Sequence, residues 1–318
     1  MQHSQSISKE KAVLFLGNHQ NALLDALLIA TKNGRFAYFL TRASVFKNAL
    51  IGSVLKSLWM LPVYRVRDGW SSIANNNSIF KKCSELLHQK QAIVIFPEGD
   101  HNLKRTVRPL SKGFTRIVFD TIDRFPEVEM QLIPVGLNYV NAAQFGDSVL
   151  LNFGTPISSN NYKSDDRVQN VNQLKKKVFD SLTTLTTHIP SDMYEKTLQK
   201  LDALQVDYLQ PKTVNACINQ QFKACKLSKA KNTSLFKRLC KTLLIIHLIL
   251  PYLLWKKLLE PKVKEVEFKS TFRFVVAITM VPIFMILMML ALGYTIGIQS
   301  AFMYLLNVLL LDILAVKL

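Results

Sequence analysis

The segment Asn18-His19-Gln20-Asn21-Ala22-Leu23-Leu24-Asp25 sets an imidazole and a carboxylate with five residues between them. A neutral imidazole takes a proton from a hydroxyl on one ring nitrogen. A nearby carboxylate holds the proton on the other nitrogen and stabilises the charge that develops. The apolar run Val13 to Leu16 leads through Gly17 into this segment, and Ala22 to Ala30 is rich in strong helix formers, so His19 is expected at a strand-to-helix turn. Helical positions six apart differ by about 240° around the axis, so the two side chains meet only if His19 precedes the regular helix. A His beside an Asp is also an ordinary local hydrogen-bonded pair, so a catalytic reading needs support from the rest of the chain.

Three further blocks supply it. Leu61-Pro62-Val63-Tyr64-Arg65-Val66-Arg67 places two guanidinium groups after an apolar segment; they suit phosphate recognition, or form a solvated basic edge. Phe96-Pro97-Glu98-Gly99-Asp100-His101 closes a buried-looking strand, and its Pro and Gly force a tight turn that brings backbone amides and Glu98 towards a ligand. Lys104, Arg105, Arg108 and Lys112-Gly113-Phe114 follow with more cations, and Ile133-Pro134-Val135-Gly136 forms a fourth turn. No Gly-x-Ser-x-Gly elbow is present, which disfavours transfer through a serine acyl-enzyme.

The elements that must position these blocks fall into three regions. Residues 1–157 alternate short apolar runs with helix-like stretches, predicting an α/β domain with a mixed β-sheet flanked by helices. Residues 158–241 are polar and Lys-rich with helical stretches near Val171 to Thr187 and Asp192 to Val206, an accessory region or connector. Residues 242–318 are apolar in blocks. Thr242 to Trp255 is too short to cross a hydrocarbon core of about 30 Å and reads as interfacial or re-entrant. Phe274 to Ile298 carries no charge over 25 residues and Ala301 to Val316 follows a short polar break at Gln299 and Ser300, so a transmembrane hairpin is expected.

In this order the four blocks resemble the glycerolipid acyltransferase family of lysophosphatidate and glycerol-3-phosphate acyltransferases, over roughly Leu14 to Ile157. The resemblance implies that fold, with His19 as general base and Asp25 as its orienting partner. By the same motifs Arg65, Phe96, Pro97, Glu98 and Gly99 would hold a glycerol-phosphate acceptor, and Pro134 would stand on the acyl-donor side. The spacing of five rather than four residues between His19 and Asp25 resembles the branch containing fungal-type glycerol-3-phosphate acyltransferases. Where the family's third block continues Thr-Arg-Ser, this chain has Asp100-His101-Asn102. That removes a cation, for which Arg105, Lys104 or Lys112 would compensate.

The implied activity moves a fatty acyl group from acyl-CoA or acyl-carrier protein to a hydroxyl of glycerol 3-phosphate or 1-acylglycerol 3-phosphate. The acyl carrier is a co-substrate, and no metal or bound cofactor is expected. An aminolipid acceptor, or a silent lipid-binding scaffold, are the alternatives.

Forty Lys and Arg against 22 Asp and Glu give a net charge of +18, which draws anionic partners. The basic residues are dispersed or flank apolar segments, and 49% of the 318 residues are hydrophobic, so membrane lipid rather than nucleic acid is the expected partner. Cys83, Cys217, Cys225 and Cys240 are far apart without metal spacing and read as reduced thiols. The polar stretch Met1 to Lys11 has no signal-peptide core. Lys262, Lys264, Lys269 and Arg273 precede the hairpin and Lys317 ends it, which predicts a multi-pass protein of the inner membrane with its catalytic domain in the cytoplasm.

Overall fold

The computed structural model describes residues 7–65, 74–163, 165–223, 225 and 235–317, so Arg67 of the second sequence block lies outside the described residues. Contacts divide the chain into two units, residues 1–140 with 148–228, and residues 141–147 with 229–318.

The first unit is a sheet with helical layers. In chain order it runs β1 (Ala12–Gly17), α1 (Ala22–Lys32), β2 (Ala37–Arg42), α2 (Ala49–Ser57), β3 (Met60–Val63), α3 (Asn76–His88), β4 (Ala92–Ile95), α4 (Gly113–Arg124), β5 (Met130–Tyr139), β6 (Val149–Phe153) and β7 (Ile157–Ser158). It continues with α5 (Arg167–Leu185), α6 (Tyr194–Ala203) and α7 (Pro211–Asn219). Seven strands form one sheet in the order β3-β2-β4-β1-β5-β6, with β7 also on β5. The strands from β3 to β5 are parallel, and β6 and β7 run antiparallel to β5. Every residue of β1 and β4 is buried, which is why they read as unbroken apolar runs rather than alternating ones.

One core joins Leu14, Leu16, Ile93 and Leu132 of the strands to Cys83 and Leu87 of α3, and to Phe114, Ile117 and Val118 of α4. Leu174, Val178 and Leu182 of α5, one helical stripe, enter the same core. The Lys-rich composition of this helix is its solvent side, and its apolar stripe makes it a layer of the sheet unit. A smaller core gathers Ile189, Tyr194, Leu201, Tyr208 and Val214.

Beside this smaller core the expectation of reduced thiols fails: Cys217 and Cys225 form a disulfide. The chain turns back after α7 through Gln221 and Phe222, both at positive φ, and brings the two Cα atoms to 4.8 Å. Spacing along the chain gave no sign of that reversal.

Two features fix the end of the sheet where the sequence blocks fall. Strand β5 pairs with β1 from Met130 to Val135 and then overshoots it as far as Tyr139. The Asn18 side chain fills the vacated place in the ladder, donating to Leu137 O (3.1 Å) and accepting from Leu137 N (2.7 Å). Pro134 sits where β5 changes partner from β7, paired at Gln131 and Leu132, to β6, paired from Val135 onward. A residue without N–H is tolerated at such an interruption.

In the second unit α8 (Leu235–His247) and α9 (Ile249–Leu253) are followed by α10 (Lys269–Ile296) and α11 (Ile298–Lys317). The chain bends by 91° between Leu235–His247 and Ile249–Lys262, a broken span or a re-entrant loop. Val266–Ile296 and Ile298–Val316 are long and apolar enough to cross a membrane. They are separated by Gly297, at φ +93°, and not by Gln299 and Ser300, which lie within α11. Only a residue without a side chain takes that backbone conformation at no steric cost. Cys240 and Leu244 of α8, Met285 of α10, and Val308 and Ala315 of α11 form one cluster. The loop Asn141–Asp147 belongs to this unit; Ser270 Oγ donates to Ala142 O (2.7 Å) and Arg273 to Ala143 O (2.9 Å).

Close approach at Gly136 yields a stability prediction. A Cβ there would lie 2.5 Å from the Leu185 carbonyl oxygen, a main-chain atom that also accepts from Asn138 and Asn152. Gly136→Ala is expected to cost about 1–3 kcal/mol, as overpacking does. Gly113→Ala, with nothing nearer than 3.8 Å, is expected to be neutral or slightly stabilising. Thermal unfolding of both variants in detergent checks the contrast.

Candidate active site

The parallel strands β1, β3, β4 and β5 end at one edge of the sheet; the turns there carry His19, Arg65 and Phe96–Gly99, and Tyr139 is the last residue of β5. Carboxyl-end turns of this kind form the crevice in which open α/β sheets bind ligands.

His19 lies three residues before α1, outside the regular helix, and its Nδ1 is 2.8 Å from Asp25 Oδ2. Asp25 is fully buried in the first turn of α1. Its Oδ2 also accepts from the backbone amides of Gln20 (2.8 Å) and Asn21 (2.7 Å), while Oδ1 accepts from Tyr139 Oη at 2.6 Å. With three other donors on this carboxylate, the bond to His19 assigns the proton to Nδ1 and leaves Nε2 as the acceptor nitrogen. The His19 side chain keeps 14% of its surface exposed, whereas Asp25 is sealed from solvent. The ring stacks on Phe96 at 4.0 Å and meets His101 edge-on at 5.7 Å. The third-block loop is tied to the same place by Asn102 N to His19 O (3.0 Å) and Gln20 Nε2 to Lys104 O (3.3 Å).

Glu98, Arg65 and Arg105, named from sequence, are engaged with other parts of the protein. Glu98, with 3% of its side chain exposed, is 2.7 Å from Arg108 Nε. Burial pushes its carboxyl above the usual range, against the opposing pull of Arg108 and of the His19 backbone amide. Arg65 donates to Gly99 O (3.2 Å) and Asp100 Oδ1 (3.0 Å), so the second and third blocks are joined by an ion pair. Gly99 has φ +75°, in a turn closed by its own N–H to Phe96 O (3.0 Å).

Arg105 lies further along this loop, but its guanidinium donates to Tyr139 O (2.7 Å) and Val140 O (2.6 Å) and covers the Tyr208 ring at 3.5 Å. It braces the end of β5. Lys112 is exposed just before α4, and Pro134 is buried within β5; among the described residues neither is joined to His19 by a bond or ring contact.

Tyr139, Asn18, Phe96 as a stacking partner and Arg108 were not assigned these roles from sequence. For Tyr139 the signal is faint: Leu137 and Tyr139 alternate on a strand that outruns its neighbour, and the overshoot is visible only in the register.

Residues 1–138 match the family model described as Acyltransferase. The chain is 26% identical over 117 residues to an uncharacterised acyltransferase of Schizosaccharomyces pombe, covering 35% of this chain and 17% of that protein. It is 27% identical over 121 residues to glycerol-3-phosphate O-acyltransferase 2 of Saccharomyces cerevisiae, covering 36% and 16%. The match therefore spans about a sixth of the length of these curated relatives. Among solved structures, the 1-acyl-sn-glycerophosphate (LPA) acyltransferase PlsC from Thermotoga maritima aligns with a TM-score of 0.39 at 18% identity, over 56% of this chain and 70% of that one.

The Glu98–Arg108 pair makes a prediction independent of turnover. Glu98 has its folded pKa raised, so its contribution to stability is full below the unfolded value and is lost as pH rises through the folded one. Arg108→Met removes the partner that opposes this rise. The variant is expected to lose on the order of 3 kcal/mol at neutral pH, and progressively less as pH falls towards the ordinary carboxylate range of about 4. Adding Glu98→Gln is expected to abolish that pH dependence in thermal unfolding scans at acid and neutral pH.

Proposed function

Since residues 1–138 match the family model described as Acyltransferase, we propose that the chain is an O-acyltransferase that uses His19 as general base on a lipid-precursor hydroxyl. The observation that carries this reading is the contact of His19 Nδ1 with a fully buried Asp25, which leaves Nε2 open at the edge of the sheet. Nε2 takes the hydroxyl proton as the acceptor oxygen attacks the thioester carbonyl of the acyl donor. Asp25 receives the Nδ1 hydrogen bond and stabilises the imidazolium. The tetrahedral intermediate then expels the thiolate, which regains the proton from His19. The products are an ester and a free thiol carrier.

Glycerol 3-phosphate or its 1-acyl product is the acceptor we favour, with acyl-CoA or acyl-carrier protein as donor and no metal or bound cofactor. Arg65, at the mouth of the second block, is the first candidate for the phosphate, with Gly99, Lys112 and Arg105 around the same loops and Pro134 on the donor side. The pairing of Arg65 with Asp100 favours a second reading in which the acceptor carries no phosphate, an aminolipid. The candidate spans, with Lys262 and Lys264 before the first and Lys269 and Arg273 in its opening turns, support a multi-pass protein of the inner membrane, its sheet unit in the cytoplasm.

Acyl transfer by the detergent-solubilised protein tests both readings, with glycerol 3-phosphate, lysophosphatidate and an N-acyl amino acid offered to both donors. His19→Ala is expected to lower turnover by about 10²–10⁴-fold. Activity retained in full removes the general-base role. Tyr139→Phe, which deletes one donor to a buried carboxylate, is expected to lower kcat about tenfold with KM unchanged. Arg65→Ala raises the acceptor KM if the acceptor is a phosphate; transfer to the N-acyl amino acid alone selects the second reading.

A further inference from the structure

Among the described residues, most large apolar side chains on the surface of the sheet unit gather in one stretch, from Phe36 to Trp59. Within α2, Leu50 is 81% and Val54 57% exposed, and Leu58, just past its end, continues the same helical face. The opposite side is fixed inward at Gly52, where a Cβ would lie 3.0 Å from the Phe46 carbonyl oxygen. Asn48 caps the helix by accepting from the Leu50 and Ile51 amides at 3.0 and 3.1 Å. At the far end Trp59 meets Phe36 edge-on at 5.1 Å. From Ala26 to Arg67 the chain carries seven Lys and Arg and no Asp or Glu, and Lys47 and Lys56 flank the apolar face of α2 in exposed positions.

We propose that α2 is an interfacial helix that lays its Leu50, Val54 and Leu58 face into the head-group region of an anionic bilayer. An exposed apolar stripe, a terminal Trp and flanking cations are the features that hold a helix in that plane, with its apolar face roughly 5–10 Å deep. Charge selects the occupant. An anionic lipid surface complements the acid-free stretch, whereas a second copy docked by the same face would bring its own Lys47 and Lys56 against this pair. A bilayer is also the surface at hand for a chain with two helices apolar enough to span one. From this face the chain passes through the four residues of β3 directly to Arg65.

Spin labelling of the full chain in liposomes tests the proposal without turnover, so its outcome is separate from that of the acyl-transfer reading. Cys83 and Cys240 are buried and Cys217 is bonded to Cys225, so a nitroxide goes to an engineered thiol. Leu50→Cys and Val54→Cys are compared with Lys81→Cys on the exposed side of α3, in phosphatidylcholine vesicles with and without phosphatidylglycerol. With anionic lipid, the ratio of oxygen to nickel-chelate collisions is expected to be severalfold higher at positions 50 and 54 than at 81. Adding Lys47→Glu and Lys56→Glu is expected to reduce that difference. Nickel accessibility at 50 and 54 equal to that at 81 overturns the proposal, as does lipid-independent dipolar broadening between labels, which assigns the face to a second copy.

Discussion

A buried carboxylate governs the geometry of the site. Asp25 is fully excluded from solvent and accepts from His19, from the Gln20 and Asn21 amides and from Tyr139. An unpaired ion in that position would cost several kcal/mol, so the surrounding chain is arranged to supply donors. The two amides come from the turn before α1, which the carboxylate thereby caps much as a capping box does. The imidazole is held because it belongs to the same turn. The fourth donor comes from a strand more than a hundred residues away, and reaches Asp25 because β5 extends beyond β1. Asn18 closes the gap that this overshoot opens, so one polar network sets strand register and imidazole orientation together.

The loops around His19 are held by charge in a similar way. Arg65 joins the turn after β3 to Asp100, and Arg108 joins Glu98 to the segment before α4. Arg105 is spent on the last carbonyls of β5. A basic cluster that reads from sequence as a phosphate cradle is therefore also the framework of the cleft. A phosphate that took Arg65 would do so in competition with Asp100.

Apolar surface is divided between the two units. In the sheet unit it is buried on both sides of the central strands β1 and β4, while α2 and its neighbours keep a cluster of exposed apolar side chains. In the second unit the long helices α10 and α11 carry exposed Leu, Ile, Met and Phe over most of their length, as helices that face lipid do.

Much of this was legible in the sequence, because it depends on local pattern. Short apolar runs alternating with helix-like stretches announced an α/β domain, and helix formers after Gln20 placed His19 ahead of α1. An uncharged 25-residue block announced a span. Other features were decided only by the folded chain. The partner change that admits Pro134, the reach of Tyr139 to Asp25 and the pairing of Arg65 with Asp100 each join residues distant in sequence, and register fixes them. The helix α5 was legible as a helix but not as a layer of the sheet unit, because the polar, Lys-rich region around it hid the stripe of Leu174, Val178 and Leu182 that enters the core. The Cys217–Cys225 bond depends on a backbone reversal that spacing does not encode. Sequence determined which chemical groups are present and which elements carry them; tertiary structure decided which groups meet, because hydrogen bonds and ion pairs depend on distances that only the packed sheet establishes.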